Sequence, residues 1–190
     1  MGDHDKALAV MTGPLAADAG ITYLKEGMNS FALRNGVRFT ICTSPYSPAF
    51  NDWAFGYEHN EDRFNKPASN AIPDYLNVDI IMTYGPLKGI LDGCLQGNVG
   101  CENLLRALQR ARPLMHLFGH IHEGNGAQII DWAPEPSKIS KLESDFPKPT
   151  KNSIIHGQQT LTVNAAIMTA KNEPMNAPWI IDLDLPCARD

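Results

Sequence analysis

The spacing of apolar and polar positions changes several times along the chain, and each change marks an element. Residues 21–25 read as a short strand. Residues 30–33 and 37–42 are apolar stretches on either side of Arg34-Asn35-Gly36, and Asn-Gly between such stretches predicts a hairpin. Ser44-Pro45-Tyr46-Ser47-Pro48 is a loop, because each proline fixes its own φ and disfavours helix in the residue before it. An aromatic cluster follows in Asn51-Asp52-Trp53-Ala54-Phe55, and residues 56–73 are polar, with prolines, as a loop with room for a short helix.

Residues 79–83 predict a buried strand ending at Tyr84-Gly85-Pro86. After a glycine-rich stretch, residues 101–112 carry Leu104, Leu105 and Leu108 on a helical stripe. Arg110 and Arg112 suit a helix C-terminus, and Pro113 stops it. Residues 114–118 form the next strand, so 79–118 reads as a β-α-β crossover. Further strands are predicted at 127–132, 159–165 and 179–185, with 133–152 a polar surface insertion.

Composition narrows the class. The 190 residues suit a single α/β domain with a sizeable core. A net charge of −5 leaves no basic footprint for nucleic acid and disfavours an anionic membrane surface. No apolar run reaches the length of a membrane span, and the polar opening Met1-Gly2-Asp3-His4-Asp5 does not read as a secretory signal. Cys42, Cys94, Cys101 and Cys187 are scattered with no CxxC pair, so a cytoplasmic protein with reduced thiols is expected.

Candidate chemistry centres on Gly119-His120-Ile121-His122, directly after the apolar run. On extended backbone, residues i and i+2 point to one side, so two imidazoles would share a pocket at a strand end. Neutral imidazole is the commonest metal ligand. His116 alternates with this pair but reads as core; His59 and His156, in polar surroundings, read as surface. Trp53, Phe55 and Tyr46 are candidates to wall a substrate pocket, and Asn164, near a strand end, to line it or orient a histidine.

Taken together, Asp79-Ile-Ile-Met-Thr-Tyr-Gly-Pro, Val99-Gly-Cys101, Arg112-Pro-Leu-Met-His-Leu-Phe-Gly-His-Ile-His-Glu-Gly124, Val163-Asn164-Ala165 and Ile181-Asp182-Leu183-Asp184-Leu185-Pro186 resemble the calcineurin-like metallophosphoesterases. The resemblance is to the branch that includes brain proteins of animals and their fungal relatives. It implies a layered α/β/β/α sandwich, here lacking the first β-α-β portion, with a two-metal phosphoesterase site at the strand ends.

Gly2-Asp3-His4-Asp5 resembles the family's Gly-Asn-His-Asp, with Asp3 in place of a ligand Asn and His4 as an acid. Tyr84 stands where the branch has a ligand His before Gly-Pro. The resemblance leaves one metal position with His122 alone and the other with Asp3 and His120, plus Tyr84 if its phenol ionises. At most one divalent metal (Mn, Fe, Zn or Mg) is expected, and none is equally compatible.

Three functions follow. One is phosphoester hydrolysis with a reduced or absent metal centre. Another is metal-free acid–base chemistry (lyase, cyclase or isomerase) on a small organic molecule, as in fungal secondary metabolism, using His4, Tyr84, His120 and His122. A third is non-catalytic binding. Sheet edges and apolar surface left by a shortened sandwich predict a homo-oligomer.

Overall fold

The computed structural model describes residues 22–69, 71–133, 136–143 and 149–185. Asp3, His4 and Cys187 lie outside these residues. Their proposed roles as ligand, acid and thiol therefore stay with the sequence.

The hairpin forms where Asn-Gly placed it. Strand β1 (Gly27–Ala32) pairs antiparallel with β2 (Arg38–Ser44), with Ala32 opposite Arg38. The turn is closed by Leu33 N–H to Val37 O and Gly36 N–H to Leu33 O, at 2.8 and 3.0 Å, with Gly36 at φ +86°. Glycine meets that left-handed conformation without a Cβ penalty.

The expected crossover is present as well. Strand β5 (Ile80–Thr83) leads through helix α1 (Glu102–Ala111) to β8 (Met115–Phe118), and β5 and β8 pair in parallel. Leu104, Ala107, Leu108 and Ala111 form the buried face of α1. A thiol caps the helix: Cys101 Sγ accepts from Leu104 N–H at 3.3 Å, and Tyr57 Oη donates to the same sulfur at 3.1 Å. Arg112 ends it in the left-handed conformation, its N–H donating to Leu108 O at 2.7 Å, and Pro113 prevents continuation.

Strands β9 (Gly126–Asp131), β10 (Lys138–Leu142) and β11 (Gln159–Asn164) complete a seven-stranded sheet of order β1-β2-β5-β8-β11-β9-β10. The inner strands β2, β5, β8 and β11 are parallel, and β1, β9 and β10 are antiparallel to their neighbours. Two small ribbons lie outside it, β3 (Ser47–Pro48) with β4 (Gly56–Tyr57) and β6 (Gly93–Cys94) with β7 (Gly97–Asn98). This is a mixed α/β sheet protein. Its described residues supply one large sheet and one helix layer of the expected four-layer sandwich.

The sheet separates two cores. Ile81, Phe118 and Ile130 pack with α1, Leu87 and Ile90 on one face. Ile80, Met115, Leu161 and Val163 pack on the other against Trp179, Ile181 and Leu183.

Two expectations, the strands at 179–185 and 21–25, need correction. Residues 179–185 do not join the sheet: Trp179, Ile181 and Leu183 alternate against its second face without a ladder. No strand covers 22–25, and no helix occurs in the described part of 56–73. The 133–152 stretch supplies the edge strand β10, whose exposed Lys138 and Lys141 discourage further pairing. Alternation alone could not separate a covering segment from a strand, because both present every second side chain to the sheet.

Candidate functional site

Parallel strands β2, β5, β8 and β11 end at Ser44, Thr83, Phe118 and Asn164. Ligands of open α/β sheets bind beyond such carboxyl ends. The backbone stitches this rim together. Tyr84 N–H donates to Ser44 O at 3.1 Å, Gly119 N–H to Tyr84 O at 3.1 Å, and Ala165 N–H to Phe118 O at 2.8 Å.

His120 leaves the rim directly after Gly119, in the left-handed conformation at φ 69°. Such a φ is uncommon for a residue with a Cβ and marks a backbone held by its surroundings. The His120 ring lies 4.7 Å from the Tyr84 ring and 6.5 Å from Trp53, edge-on to the indole. Phe50 stands 5.1 Å behind Trp53. The fold thus gathers His120, Tyr84 and Trp53 from three separate parts of the chain.

Tyr46 and Phe55 form a second aromatic pair, edge to face at 5.5 Å. The Arg63 guanidinium sits 3.8 Å over the Tyr46 ring and is held by Glu26 at 3.0 Å. Glu26 also accepts from Ser44 Oγ at 2.8 Å, which ties this pair to the end of β2. Nothing in the local sequence around Glu26 or Arg63 signals the pairing, since they are 37 positions apart.

The two histidines of the Gly-His-Ile-His turn are not on extended backbone. Strand β8 ends at Phe118, His120 is left-handed, and His122 opens a 3-10 turn, His122–Gly124. His120 and His122 therefore do not share one side of an extended strand. Among the described residues no three of His, Cys, Asp and Glu gather as a cation site needs. His120 and His122 do not amount to a metal centre by themselves.

Asn164 takes the second of its two expected places, beside the histidine turn. It is 0% exposed. Its amide donates to Ile121 O at 2.8 Å and Leu91 O at 3.3 Å, and its oxygen accepts from Ala166 N–H at 3.0 Å. Asn164 orients the histidine-bearing turn through its backbone. Gly124 closes the same turn, and a Cβ there would meet Leu91 O at 2.0 Å.

The sequence reading missed Asp92, which is 1% exposed. One carboxylate oxygen accepts from Gly89 N–H and Gly100 N–H, both at 2.9 Å, and the other from Asn98 Nδ2 at 2.6 Å. It organises the glycine-rich loop that supplies Leu91 O to Asn164. A lone Asp among glycines was the available signal.

His116 is core, as expected. Burial pulls its pKa down to about 3, and Nε2 lies 2.8 Å from Thr83 Oγ1. His59 is exposed, while His156 is half-buried against Tyr75, ring centroids 5.7 Å apart.

No family model matches the chain. Metallophosphoesterase domain-containing protein 1 of Homo sapiens and of Mus musculus is 33% identical over 151 residues, covering 78% of this chain and 37% of each relative. A UPF0046 protein of Caenorhabditis elegans is 39% identical over 124 residues, 65% of this chain and 39% of that protein. Probable rhamnogalacturonate lyase C of Emericella nidulans is 34% identical over 114 residues, 59% of this chain but 10% of that protein. The match therefore takes in little more than a third of the first relatives. No helix among the described residues is long and apolar enough to cross a membrane.

Proposed function

This chain is a relative of the metallophosphoesterase-domain proteins, and on that footing we propose that it hydrolyses a phosphoester at the His120–Tyr84–Trp53 cluster, with a reduced or absent metal centre. The observation that carries the reading is the His120 ring beside Tyr84 at the carboxyl ends of β5 and β8. His120 takes the proton of an attacking water as its oxygen bonds to phosphorus. The Tyr84 phenol donates to an oxygen gaining charge as the ester P–O bond breaks. The Trp53 indole flanks His120, ring centroids 6.5 Å apart.

The test is turnover of an aryl phosphodiester and an aryl phosphomonoester, with EDTA and with added Mn²⁺. Turnover falling about 100-fold in His120→Ala and about 10-fold in Tyr84→Phe is expected. No turnover under any of these conditions overturns the hydrolase reading.

A second reading is metal-free acid–base chemistry on a small organic molecule. It is favoured by the same contact, because an imidazole and a phenol can move a proton without a cation. Activity that survives EDTA and falls in both variants supports it. The lyase name among the relatives adds nothing to it, since the match covers 10% of that protein. The third reading, a non-catalytic binding protein, predicts that a partner still binds and that the pocket variants change nothing.

The proposed setting is the cytoplasm, supported by the free thiols of Cys42, Cys94 and Cys101. A homo-oligomer remains part of the proposal. It is supported by an open groove of about 490 Å³ on the second face of the sheet, lined by Met82, Leu117, Trp179 and Ile181. A monomeric mass by light scattering at micromolar concentration counts against it.

A further inference from the structure

Thr83 and His116 meet across β5 and β8, both closed to solvent. Thr83 Oγ1 lies 2.7 Å from Gly85 O and 2.8 Å from His116 Nε2. A hydroxyl has one hydrogen, and a carbonyl oxygen can only accept. That hydrogen therefore goes to Gly85, and the Thr83 oxygen faces His116 as an acceptor. It follows that Nε2 carries a hydrogen. Among the described residues the buried Nδ1 has no hydrogen-bond partner, which suits a bare lone pair better than an N–H. Full burial independently disfavours the imidazolium. These observations agree on one state, a neutral imidazole with its hydrogen on Nε2.

We propose that His116 is a positioning residue for Tyr84, acting through Thr83. The relay runs from His116 Nε2–H to Thr83 Oγ1 and from Thr83 Oγ1–H to Gly85 O, so its two anchor points bracket Tyr84 in the chain. Tyr84 itself is bonded through N–H to Ser44 O and through its carbonyl to Gly119 N–H, both at 3.1 Å. The 83–85 turn thus locks the ends of β2, β5 and β8, and Gly119 directly precedes His120.

Without His116 the hydroxyl keeps its donor role but loses the N–H that it accepts from, and its rotamer is less constrained. A valine–phenylalanine pair would fill similar space with no hold on Gly85 O. His116 stacks on Phe118 at 4.8 Å, which fixes the plane of the ring that Thr83 reads. The proposal deepens the reading of Tyr84 as a working group and rests on it, although the relay geometry does not.

The experiment is long-range ¹H–¹⁵N correlation of the histidine rings in the full chain. The expected result is His116 as the Nε2–H tautomer, unchanged between pH 8 and pH 5. An Nδ1–H tautomer or an imidazolium in that range overturns the proposal. Thr83→Val is expected to shift the Tyr84 and His120 ring signals while the Trp132 indole signal stays in place, and Thr83→Ser to restore them. Folded Thr83→Val with unmoved Tyr84 and His120 signals also overturns it. If Thr83→Val does not fold, Thr83→Ala carries the same comparison.

Turnover is measured alongside, with a loss of about tenfold expected in Thr83→Val and recovery in Thr83→Ser. Absence of turnover in the unsubstituted protein defeats the hydrolase reading, while the ring signals still decide the relay.

Discussion

The side-chain amide of Asn164 donates to the carbonyl of Ile121 at 2.8 Å, from the end of β11 into the turn that carries His120 and His122. The same side chain accepts from Ala166 N–H and reaches Leu91 O. One buried amide therefore ties a strand end, the histidine turn and the glycine-rich loop into a single unit. The arrangement explains how His120 is kept in a left-handed conformation that its own Cβ disfavours.

Asn164→Ala is expected to lower unfolding free energy by about 1–3 kcal/mol, because it strands buried backbone groups. Chemical denaturation measures the loss. Asn164→Asp is expected to be at least as damaging, since a carboxylate cannot donate to Ile121 O. Wild-type stability in both variants would remove the assigned role.

Asp92→Ala removes the acceptor for Gly89 N–H, Gly100 N–H and Asn98 Nδ2 together. A loss of about 2–4 kcal/mol is expected, with amide exchange accelerating most in residues 89–100. Hydrogen exchange read by mass spectrometry separates this local loosening from global destabilisation.

Acid should destabilise the fold through His116. Its folded pKa is about 3, below the unfolded value of about 6.5, so the unfolded chain binds the extra proton first. The full contribution is present above pH 6.5. It is lost progressively as pH falls toward 3, by roughly 3–5 kcal/mol in total. Denaturation midpoints from pH 8 to pH 4 test this, and His116→Phe, where it folds, should flatten that part of the profile.

Thiol reagents should discriminate among the cysteines. Burial, aided by the nearby Glu26 carboxylate, pushes the Cys42 thiol up to about 11, and its side chain is closed to solvent. Cys94 is only half-buried. Brief alkylation at pH 7.5 is therefore expected to modify Cys94 well ahead of Cys42 and Cys101. Peptide mass mapping checks the order, and early labelling of Cys42 would contradict the packing around β2.

Much of the scaffold is legible from the residues alone. Asn35-Gly36 places the hairpin of β1 and β2, the leucine stripe and Pro113 delimit α1, and the two apolar runs around it become adjacent parallel strands. These features are local. A turn, a helical stripe or a buried run depends on residues within a few positions of one another, so the sequence states them directly. The resemblance of the Gly-His-Ile-His segment to a phosphoesterase turn is equally a property of contiguous residues.

What tertiary structure decided is where the polar side chains go. Asn164 could have lined the pocket or served the histidine turn, and it donates to the Ile121 carbonyl, 43 positions away. His116 is core, as its alternation suggests, but its partner there is Thr83, 33 positions away. Residues 179–185 carry strand alternation yet lie over the sheet, while β10 completes its edge. Desolvation makes an unpaired buried polar group costly, so each must find a partner. Which partner it finds depends on how distant strand ends are brought together, and no local pattern encodes that.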